Sequence, residues 1–313
     1  MKPVAVNAAS LERAAAAVRE GNLVVMPTET VYGLAGDATN PAAVARIYAA
    51  KGRPKFNPLI SHILDLNQAE RHAHLHPVAR SLAERFWPGA LTLVAPRRAD
   101  SDIAELACAG LPSVALRAPA HPVARALIGA AGVPLAAPSA NRSGRLSPTH
   151  ASHAAEDLGE EISVILDAGS CPLGLESTVV SVSADGVVTM LRPGAIARAD
   201  IESVAGPVFD AGASNAPTSP GMMESHYAPR ARLRLNATTA GAGESYLAFG
   251  AAGPPGALNL SPQRDLIEAA ANLFAFLRQL DATGAKVIAV APIPREGLGE
   301  AINDRLARAA AGR

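Results

Sequence analysis

The chain alternates helix-type and strand-type hydrophobic patterns over its first 205 residues. Short apolar runs bounded by Pro, Gly or polar turns indicate strands, and apolar residues at helical spacing indicate helices. The predicted strands cover 22–26, 59–63, 90–95, 113–117, 133–137 and 162–167, and the predicted helices cover 41–51, 77–86, 121–131 and 149–158. Ser10 is predicted to cap a helix that reaches Glu20, and Asn40 and Pro41 to begin helix 41–51, which Gly52 ends.

The segment STVVSVSADGVVTML, residues 177–191, contains two alternating runs joined by Asp185-Gly186. Such a pair of runs predicts a β-hairpin. Helical crossovers together with a hairpin favour a mixed sheet, because crossovers join parallel strands and hairpins join antiparallel ones.

The pattern changes after residue 205. Residues 206–232 are rich in Gly, Pro, Ala and Ser, which is typical of a linker. Beyond them, strands 245–249 and 286–291 alternate with helices 263–280 and 298–311 and predict a small Rossmann-like α/β unit with a parallel strand pair. We therefore predict a first domain over 1–205, a linker over 206–232 and a C-terminal domain over 233–313.

Composition limits the classes of function. The 313 residues carry a formal net charge of zero, so no overall field draws the molecule to nucleic acid or to a membrane surface. The two cysteines, Cys108 and Cys171, lie far apart, which fits a reducing compartment and argues against a disulfide scaffold or a structural zinc site. Neither a signal-peptide core nor a membrane-spanning apolar window is found, so we expect a cytoplasmic protein.

Polar loops follow several predicted strands. PTETVYGLAGD (27–37) follows the strand 22–26, and a basic turn with Lys51, Arg53 and Lys55 follows the helix 41–51. The basic turn is either a solvated helix end, where cations complement the helix dipole, or a cradle that offsets phosphate charge.

Two further loops carry small polar residues. APSANRSGRLSP (137–148) follows another strand, and GLESTVVS (174–181) and LRPG (191–194) lie at the ends of the hairpin strands. Hydroxyl groups at the carboxyl ends of strands suit nucleotide binding in open α/β sheets, but an ordinary Ser/Gly loop has the same composition.

Several familiar motifs are missing from the sequence. It contains no GxxxxGK[ST] phosphate loop, no complete GxGxxG and no GxSxG nucleophile elbow. RHAHLH (71–76) would put three histidines on one side only as a strand, so we interpret it as a solvated helix–loop segment and not as a metal site.

Taken in order, six stretches resemble the YrdC-like family of threonylcarbamoyl-AMP synthases. They are PTETVYGLAGDA, IYAAKGRPKFNPLISHI, SVALRAPAHP, PLAAPSANRSGRLSPTHA, ESTVVS and LRPGAI. SPGMMESHYAP (219–229) is similar to the linker of the family's two-domain form. The resemblance covers nearly the whole chain and implies a twisted mixed YrdC-like sheet with helices and an open cleft, plus a small C-terminal domain.

The resemblance also implies an activity. Members of the family join L-threonine, bicarbonate and ATP into threonylcarbamoyl-adenylate and release pyrophosphate, and a separate transferase uses the product to modify tRNA next to the anticodon. Magnesium is expected with the triphosphate, held by phosphate oxygens and water and not by protein side chains. Direct tRNA binding by this chain is not required.

The resemblance implies these site residues: Thr30, His62, Arg117 and Ser177 around threonine; Arg53, Asn57, Ser113, Ala137, Ser139, Ser147, Arg192 and Tyr227 near ATP; and Lys51 with Arg53 as catalytic cations. Glu29 and Tyr32 are expected to shape their loop and not to act as acid or base. Met223 and Glu224 stand where many relatives carry a basic and an aromatic residue, so no extra phosphate contact is predicted there.

Two alternatives remain at this point. An RNA-binding module could use a basic groove formed by Arg53, Lys55, Arg142, Arg145 and Arg192, although zero net charge and few aromatic residues disfavour it. An inactive or carbamoyl-phosphate-handling relative could share the first domain.

Overall fold

The computed structural model describes residues 1–212, 227–251, 253–254 and 256–311. Met223 and Glu224 lie outside these ranges. Within the described residues, one large sheet and one small sheet form two α/β units. Over the same residues, no helix is both long and apolar enough to cross a membrane.

The large sheet has 11 strands among the described residues, and they are both parallel and antiparallel, which confirms the mixed sheet. In chain order they are β1 (Val4–Ala5), β2 (Val24–Met26), β3 (Gly33–Asp37), β4 (Ile60–His62), β5 (Leu91–Pro96), β6 (Ser113–Arg117), β7 (Leu135–Ala136), β8 (Val164–Asp167), β9 (Thr178–Val182), β10 (Val188–Arg192) and β11 (Val208–Asp210). Across the sheet the order is β1-β8-β2-β3-β7-β4-β6-β5-β9-β10-β11.

The helices of this unit connect and cover the strands. They are α1 (Ala8–Arg19), α2 (Pro41–Lys51), α3 (Leu66–His72), α4 (Pro77–Phe86), α5 (Pro122–Ala131), α6 (Ala151–Leu158) and α7 (Arg198–Ala205). As predicted, Asn40 caps α2 through its side chain and Gly52 ends it at φ +59°. The predicted cap of α1 is wrong, since Asn7 is the N-cap and Ser10 completes a capping box three residues later.

The small sheet contains β12 (Arg232–Arg234), β13 (Ser245–Ala248), β14 (Leu258–Asn259) and β15 (Val287–Val290), in the order β12-β15-β13-β14. All three pairings are parallel, which confirms the parallel pair predicted between the second and fourth of these strands. Helices α8 (Leu266–Ala282) and α9 (Leu298–Ala310) complete the unit.

The exact domain boundaries stay a prediction. Strand β11 pairs with β10 of the large sheet although residues 206–232 were assigned to the linker. Residues 213–226, which make up most of that segment, lie outside the described ranges.

Some elements could not be read from the pattern. Strand β3 (GLAGD) lacks β-branched and aromatic residues, yet it pairs with β2 and β7 in the middle of the sheet. Helix α3 is also unpredicted, and His72 of the RHAHLH segment lies at its end. The hairpin of β9 and β10 is confirmed, with Gly186 at φ +85° in its turn.

The helices leave part of one sheet face open. In β9, Val180 and Val182 pack into a core with α4 and α7, whereas Val179 points to the other face. There it joins Ile60, Ala115 and Val94 in a small apolar cluster. This cluster forms the floor on which the candidate site lies.

Candidate active site

Most of the predicted site residues line one pocket, which lies where polar loops follow the strands. Nine of the predicted residues line it: Thr30, Arg53, His62, Arg117, Ala137, Ser139, Ser177, Arg192 and Tyr227. Thr28 and Glu176 add polar groups to the wall. The space between the lining residues is about 530 Å³, a figure that includes open solvent.

Strand register explains how distant residues become neighbours. Strands β4 and β6 are parallel, and His62 at the end of β4 stands opposite Arg117 at the end of β6. Ser177 directly precedes β9, and Arg192 ends β10, which pairs antiparallel with β9. The start of one strand and the ends of the others thus supply side chains to the same edge of the cleft.

The threonine side of the predicted site contains a buried ion pair. Arg117 Nη2 donates to Glu29 Oε1 at 2.6 Å and Nη1 donates to Thr30 Oγ1 at 2.9 Å, while Nε donates to the Gly89 carbonyl at 3.1 Å. Burial alone would raise the pKa of Glu29, but the charge and hydrogen bond of Arg117 outweigh it and lower that pKa to about 2. Glu29 is therefore a fixed anion that orients Arg117, as expected of a loop-shaping residue.

Tyr32 also shapes its loop. Its hydroxyl donates to the Gly169 carbonyl at 2.7 Å and accepts from the Ala168 amide at 3.2 Å. Burial is the main reason that its pKa is raised, so the phenol stays protonated and is not an acid or a base at neutral pH.

His62 is buried and neutral. Burial, followed by the nearby charge of Arg117, lowers its pKa to about 3. Its Nδ1 is buried without a hydrogen-bond partner among the described residues. A buried polar atom left unpaired at a pocket wall is a natural contact for a ligand.

The basic turn is folded inward. Arg53 is only 7% exposed, and its Nε and Nη2 donate to the carbonyl oxygens of Asn57 and Pro58 at 3.1 and 2.9 Å. The Asn57 side chain is buried beside it, and neither amide atom has a hydrogen-bond partner among the described residues. Asn57 does not line the pocket, so its predicted contact with ATP stays a prediction.

Lys51 lies behind the pocket wall. Its Nζ donates to the Ser139 and Asn141 carbonyl oxygens at 2.5 Å each, and burial, with Arg53 nearby, lowers its pKa well below the usual value. These contacts hold the loop 137–148, called the serine loop below, in place. The predicted role of Lys51 at the phosphates stays a prediction.

Arg192 and Ser177 form a second polar group in the pocket. Arg192 donates through Nη2 to the Ser177 carbonyl at 2.8 Å and to Ser177 Oγ at 3.2 Å. Ser177 Oγ also lies 2.8 Å from Thr92 Oγ1. The Ser177 hydroxyl is thus held by Thr92 of β5 and by Arg192 of β10.

Ser147 lies one layer further out. Its hydroxyl donates to Glu176 Oε1 at 2.5 Å, and Glu176 Oε2 accepts from Arg305 Nε at 2.8 Å. Ser147 itself does not line the pocket, whereas Glu176 does. Burial would raise the pKa of Glu176, but Arg305 and Arg192 together lower it, so the group is a carboxylate.

Ser113 is at the far end of the open sheet face. It lines a separate groove together with Val94, Ser181 and Leu191. Ser113 and Arg117 are the two ends of β6 and are about 13 Å apart at the usual rise per residue. The apolar cluster of Ile60, Val94, Ala115 and Val179 lies between them and connects the polar pocket to this groove.

Comparison with protein families covers both units. Residues 16–194 match the Sua5/YciO/YrdC family model, described as "Telomere recombination". Residues 196–311 match the model described as "Threonylcarbamoyl-AMP synthase, C-terminal domain".

Relatives match over nearly the full length. The chain is 42% identical to the threonylcarbamoyl-AMP synthase of Bacillus subtilis, over 98% of this chain and 94% of that protein. It is 40% identical to the synthase of Pyrococcus abyssi, over 95% and 92% of the two chains. The chain belongs to the two-domain threonylcarbamoyl-AMP synthase family.

The architecture agrees with a solved structure of the family. A crystal structure described as P. abyssi Sua5 complexed with L-threonine superposes with a TM-score of 0.91 at 36% identity, covering 100% of this chain and 98% of that one. The expected YrdC-like mixed sheet and the small C-terminal α/β unit are therefore confirmed.

Two polar residues of the site were not predicted to act in it. Glu176 has a sequence signal only as part of the ESTVVS stretch, where it directly precedes Ser177. Arg305 carries no usable sequence pattern, since it is one of two arginines in an amphipathic helix and only the fold brings it to Glu176.

Proposed function

We propose that this protein synthesises L-threonylcarbamoyladenylate from L-threonine, bicarbonate and ATP, with release of pyrophosphate. The observation that carries the proposal is the meeting in one pocket of nine residues that the resemblance implies, in a chain that matches named synthases over nearly its full length. The product serves the threonylcarbamoyladenosine modification of tRNA.

Threonine is proposed to bind between Thr30, His62, Arg117 and Ser177. Three of the five N–H groups of Arg117 donate to Glu29, Thr30 and the Gly89 carbonyl. We expect the substrate carboxylate to bind at the remaining N–H groups, because a pre-oriented guanidinium binds a carboxylate with little loss of side-chain freedom.

The reaction needs no covalent enzyme intermediate. The threonine amine attacks the carbon of bicarbonate and water leaves, giving a carbamate. A carbamate oxygen then attacks the α-phosphate of ATP, and the bond between that phosphorus and the pyrophosphate oxygen breaks. Arg53 and Arg192, both buried, would stabilise the negative charge that builds up on the reacting phosphate in the transition state. The hydrogen bond from Lys51 to the Ser139 carbonyl would hold the loop 137–148 in place beside that phosphate.

Magnesium is proposed to enter with ATP. Among the described residues there is no group of three or more His, Cys, Asp or Glu side chains that could hold an ion. Glu176 lies at the pocket wall but is already bound by Ser147 and Arg305. We propose that phosphate oxygens and water coordinate the ion, whose charge offsets that of the triphosphate.

The nucleoside part of ATP is proposed to lie along the open sheet face toward Ser113. The apolar cluster on this face suits the flat faces of a base and a ribose. Hydroxyl groups at the far end of the groove suit the polar edge of the base. Ser139, Ser147, Ala137, Asn57 and Tyr227 complete the predicted ATP contacts.

The surroundings of the reaction are also proposed. The product would pass to a separate tRNA threonylcarbamoyl transferase, so this chain need not bind tRNA. We place the protein in the cytoplasm, and its two buried, free cysteines agree with a reducing compartment.

The RNA-binding alternative is not favoured. Arg53 and Arg192 are 7% and 4% exposed, so they cannot form part of an exposed basic groove. Arg145 lies within 3.4 Å of the Asp157 carboxylate, which offsets its charge. The full-length match to synthases also disfavours an inactive or carbamoyl-phosphate-handling relative.

The test is release of pyrophosphate by the purified protein with ATP, Mg²⁺ and bicarbonate. We expect release that depends on L-threonine and falls when bicarbonate is depleted. The controls replace L-threonine with L-serine, which lacks the methyl group, or with D-threonine, which should not fit the fixed pocket. Pyrophosphate release that is independent of L-threonine would contradict the proposal.

A further inference from the structure

A buried ion pair joins the two units next to the candidate site. Arg305, on α9 of the C-terminal unit, donates through Nε to Glu176 Oε2 at 2.8 Å. Their side chains are 1% and 7% exposed. A pair so completely removed from water must be held in a defined geometry, because burying an unpaired charge is very costly.

The Arg305 guanidinium also contacts two other segments near the pocket. Its Nη2 donates to the Pro193 carbonyl at 2.9 Å, directly after the site residue Arg192. Its Cζ lies 5.1 Å from the centre of the Tyr227 ring, a distance at which a cation is attracted to an aromatic face. One side chain of the C-terminal unit thus reaches three segments that border the site.

Tyr227 depends on such support. Its φ of +63° is unusual for a non-glycine residue, and this conformation is kept only where surrounding contacts enforce it. The ring is buried, packs 5.5 Å from the Phe274 ring of α8 and lies beneath Arg305. Both contacts come from the C-terminal unit.

Glu176 carries the influence of Arg305 into the pocket. The other carboxylate oxygen of Glu176, Oε1, accepts from the Ser147 hydroxyl at 2.5 Å. The residue after Glu176 in the chain is Ser177. Glu176 itself lines the pocket. Moving Arg305 would therefore move Glu176 and Ser147 as well as Tyr227.

We propose that Arg305 is a positioning residue through which the C-terminal unit sets the ATP side of the active site. The inference rests on the proposed function. Arg305 does not need to touch a substrate, because Glu176, Ser147 and Tyr227 transmit its position. Of the four residues placed around threonine, only Ser177 adjoins this network, whereas Thr30, His62 and Arg117 belong to a different set of contacts. Threonine binding should therefore depend on Arg305 less than ATP binding does.

The decisive variant is Arg305→Lys. Lysine keeps the positive charge opposite Glu176 but cannot donate to Glu176 and Pro193 in a planar fork. We expect a KM for ATP raised roughly tenfold or a kcat lowered by a similar factor, with the KM for L-threonine changed less than about twofold. Glu176→Gln should give the same pattern, because it weakens the same contact from the other side.

Glu300→Gln is the matched control. Glu300 lies on the same helix and accepts from Arg198 Nη2 of α7 at 2.8 Å, so it also joins the two units. The pocket lining does not include Glu300 or Arg198. We expect this variant to keep the wild-type kinetic constants, because it loosens the contact between units without touching the Glu176 network.

A measurement without catalysis separates this inference from the proposed function. Hydrogen–deuterium exchange should rise in peptides that cover residues 174–179 in Arg305→Lys and stay at the wild-type level in Glu300→Gln. Exchange and kinetics that are unchanged in Arg305→Lys, or equally changed in both variants, would overturn the inference. A wild-type protein without threonine-dependent activity would instead refute the proposed function, and the exchange result would still decide whether Arg305 positions the segment.

Discussion

At the scale of single residues, the site is built from buried polar groups whose hydrogen bonds the fold has already fixed. Arg117 is fixed by Glu29 and Thr30, and Lys51 by two carbonyl oxygens of the serine loop. Such pre-oriented groups need little rearrangement during a reaction, which is how an enzyme without a covalent nucleophile lowers a barrier. Substitutions of these residues should lower the activity by more than the accompanying loss of folding stability can explain.

Lys51→Ala is expected to lower turnover roughly 100-fold or more, as loss of one pre-organised stabilising group does in other enzymes. Arg53→Ala should have a similar effect. Lys55→Ala is the matched control, because Lys55 belongs to the same turn but is exposed. The check is the pyrophosphate-release rate, and a near-normal rate for both Lys51→Ala and Arg53→Ala would remove the basic turn from the mechanism.

His62 makes stability depend on pH. Its folded-state pKa of about 3 lies below the ordinary value of 6.5, so the unfolded chain binds more protons between these values. Stability is therefore lost as pH falls from about 6.5 toward 3, by up to about 1.4 kcal/mol per pH unit for this group. Glu29, with its pKa lowered to about 2, adds a loss in the same direction only below about pH 4.5.

The measurement is urea unfolding of the wild type and of His62→Gln at pH 7, 6 and 5. The wild type should lose more free energy of unfolding between pH 7 and pH 5 than the variant. Other histidines with a lowered pKa, such as the half-buried His153, contribute equally to both proteins and cancel in the comparison. Parallel pH curves would show that His62 is not the group responsible.

At the scale of elements, close approach between a loop and a helix fixes how the two units meet. Gly174, at φ +67°, lies so near α8 that an added Cβ would come within 2.5 Å of the Ala270 carbonyl oxygen. This loop leads directly to Glu176, Ser177 and β9. The absence of a side chain at position 174 therefore lets the wall of the pocket rest on the C-terminal unit.

Gly174→Ala should destabilise the protein by about 3 kcal/mol, because a clash with helix backbone adds to the cost of a positive φ. Gly132→Ala is the matched control, since Gly132 has φ +74° but no atom within 4 Å of an added Cβ. Its expected cost is about 1 kcal/mol, from the backbone alone. Thermal or urea unfolding measures both, and equal losses would show that the helix contact at Gly174 is unimportant.

At the scale of the whole molecule, the two units share a hydrophobic core as well as ion pairs. Val31, Leu146 and Leu175 of the first unit belong to the same buried cluster as Leu273 and Phe274 of α8. Arg278 of α8 also pairs with Asp157 of α6 at 2.7 Å. A shared core of this kind couples the stability of the two units.

Unfolding should therefore occur in one cooperative transition. The single tryptophan, Trp87, packs in the first unit and reports on that unit alone, whereas far-UV circular dichroism reports on helices of both. We expect urea curves from the two probes to coincide. Separate midpoints would mean that the C-terminal unit unfolds independently.

The sequence by itself determined much of this protein. Helix caps such as Asn40, the hairpin turn at Asp185-Gly186 and the apolar strand runs are local features, so the chain shows them directly. Six ordered motifs resembled one family, and most of the residues carried over from it meet in a single pocket. Local patterns and motif order were sufficient for the fold class, and the reaction followed only from the resemblance to this family.

Only the tertiary structure decided which groups act together. Strand β3 forms because its neighbours β2 and β7 satisfy its backbone, and its own residues have little strand preference. Lys51 points into the serine loop, and Arg305 reaches Glu176 across 129 positions of sequence. Such contacts depend on how the two units fold against each other, and neither spacing nor residue type encodes them locally.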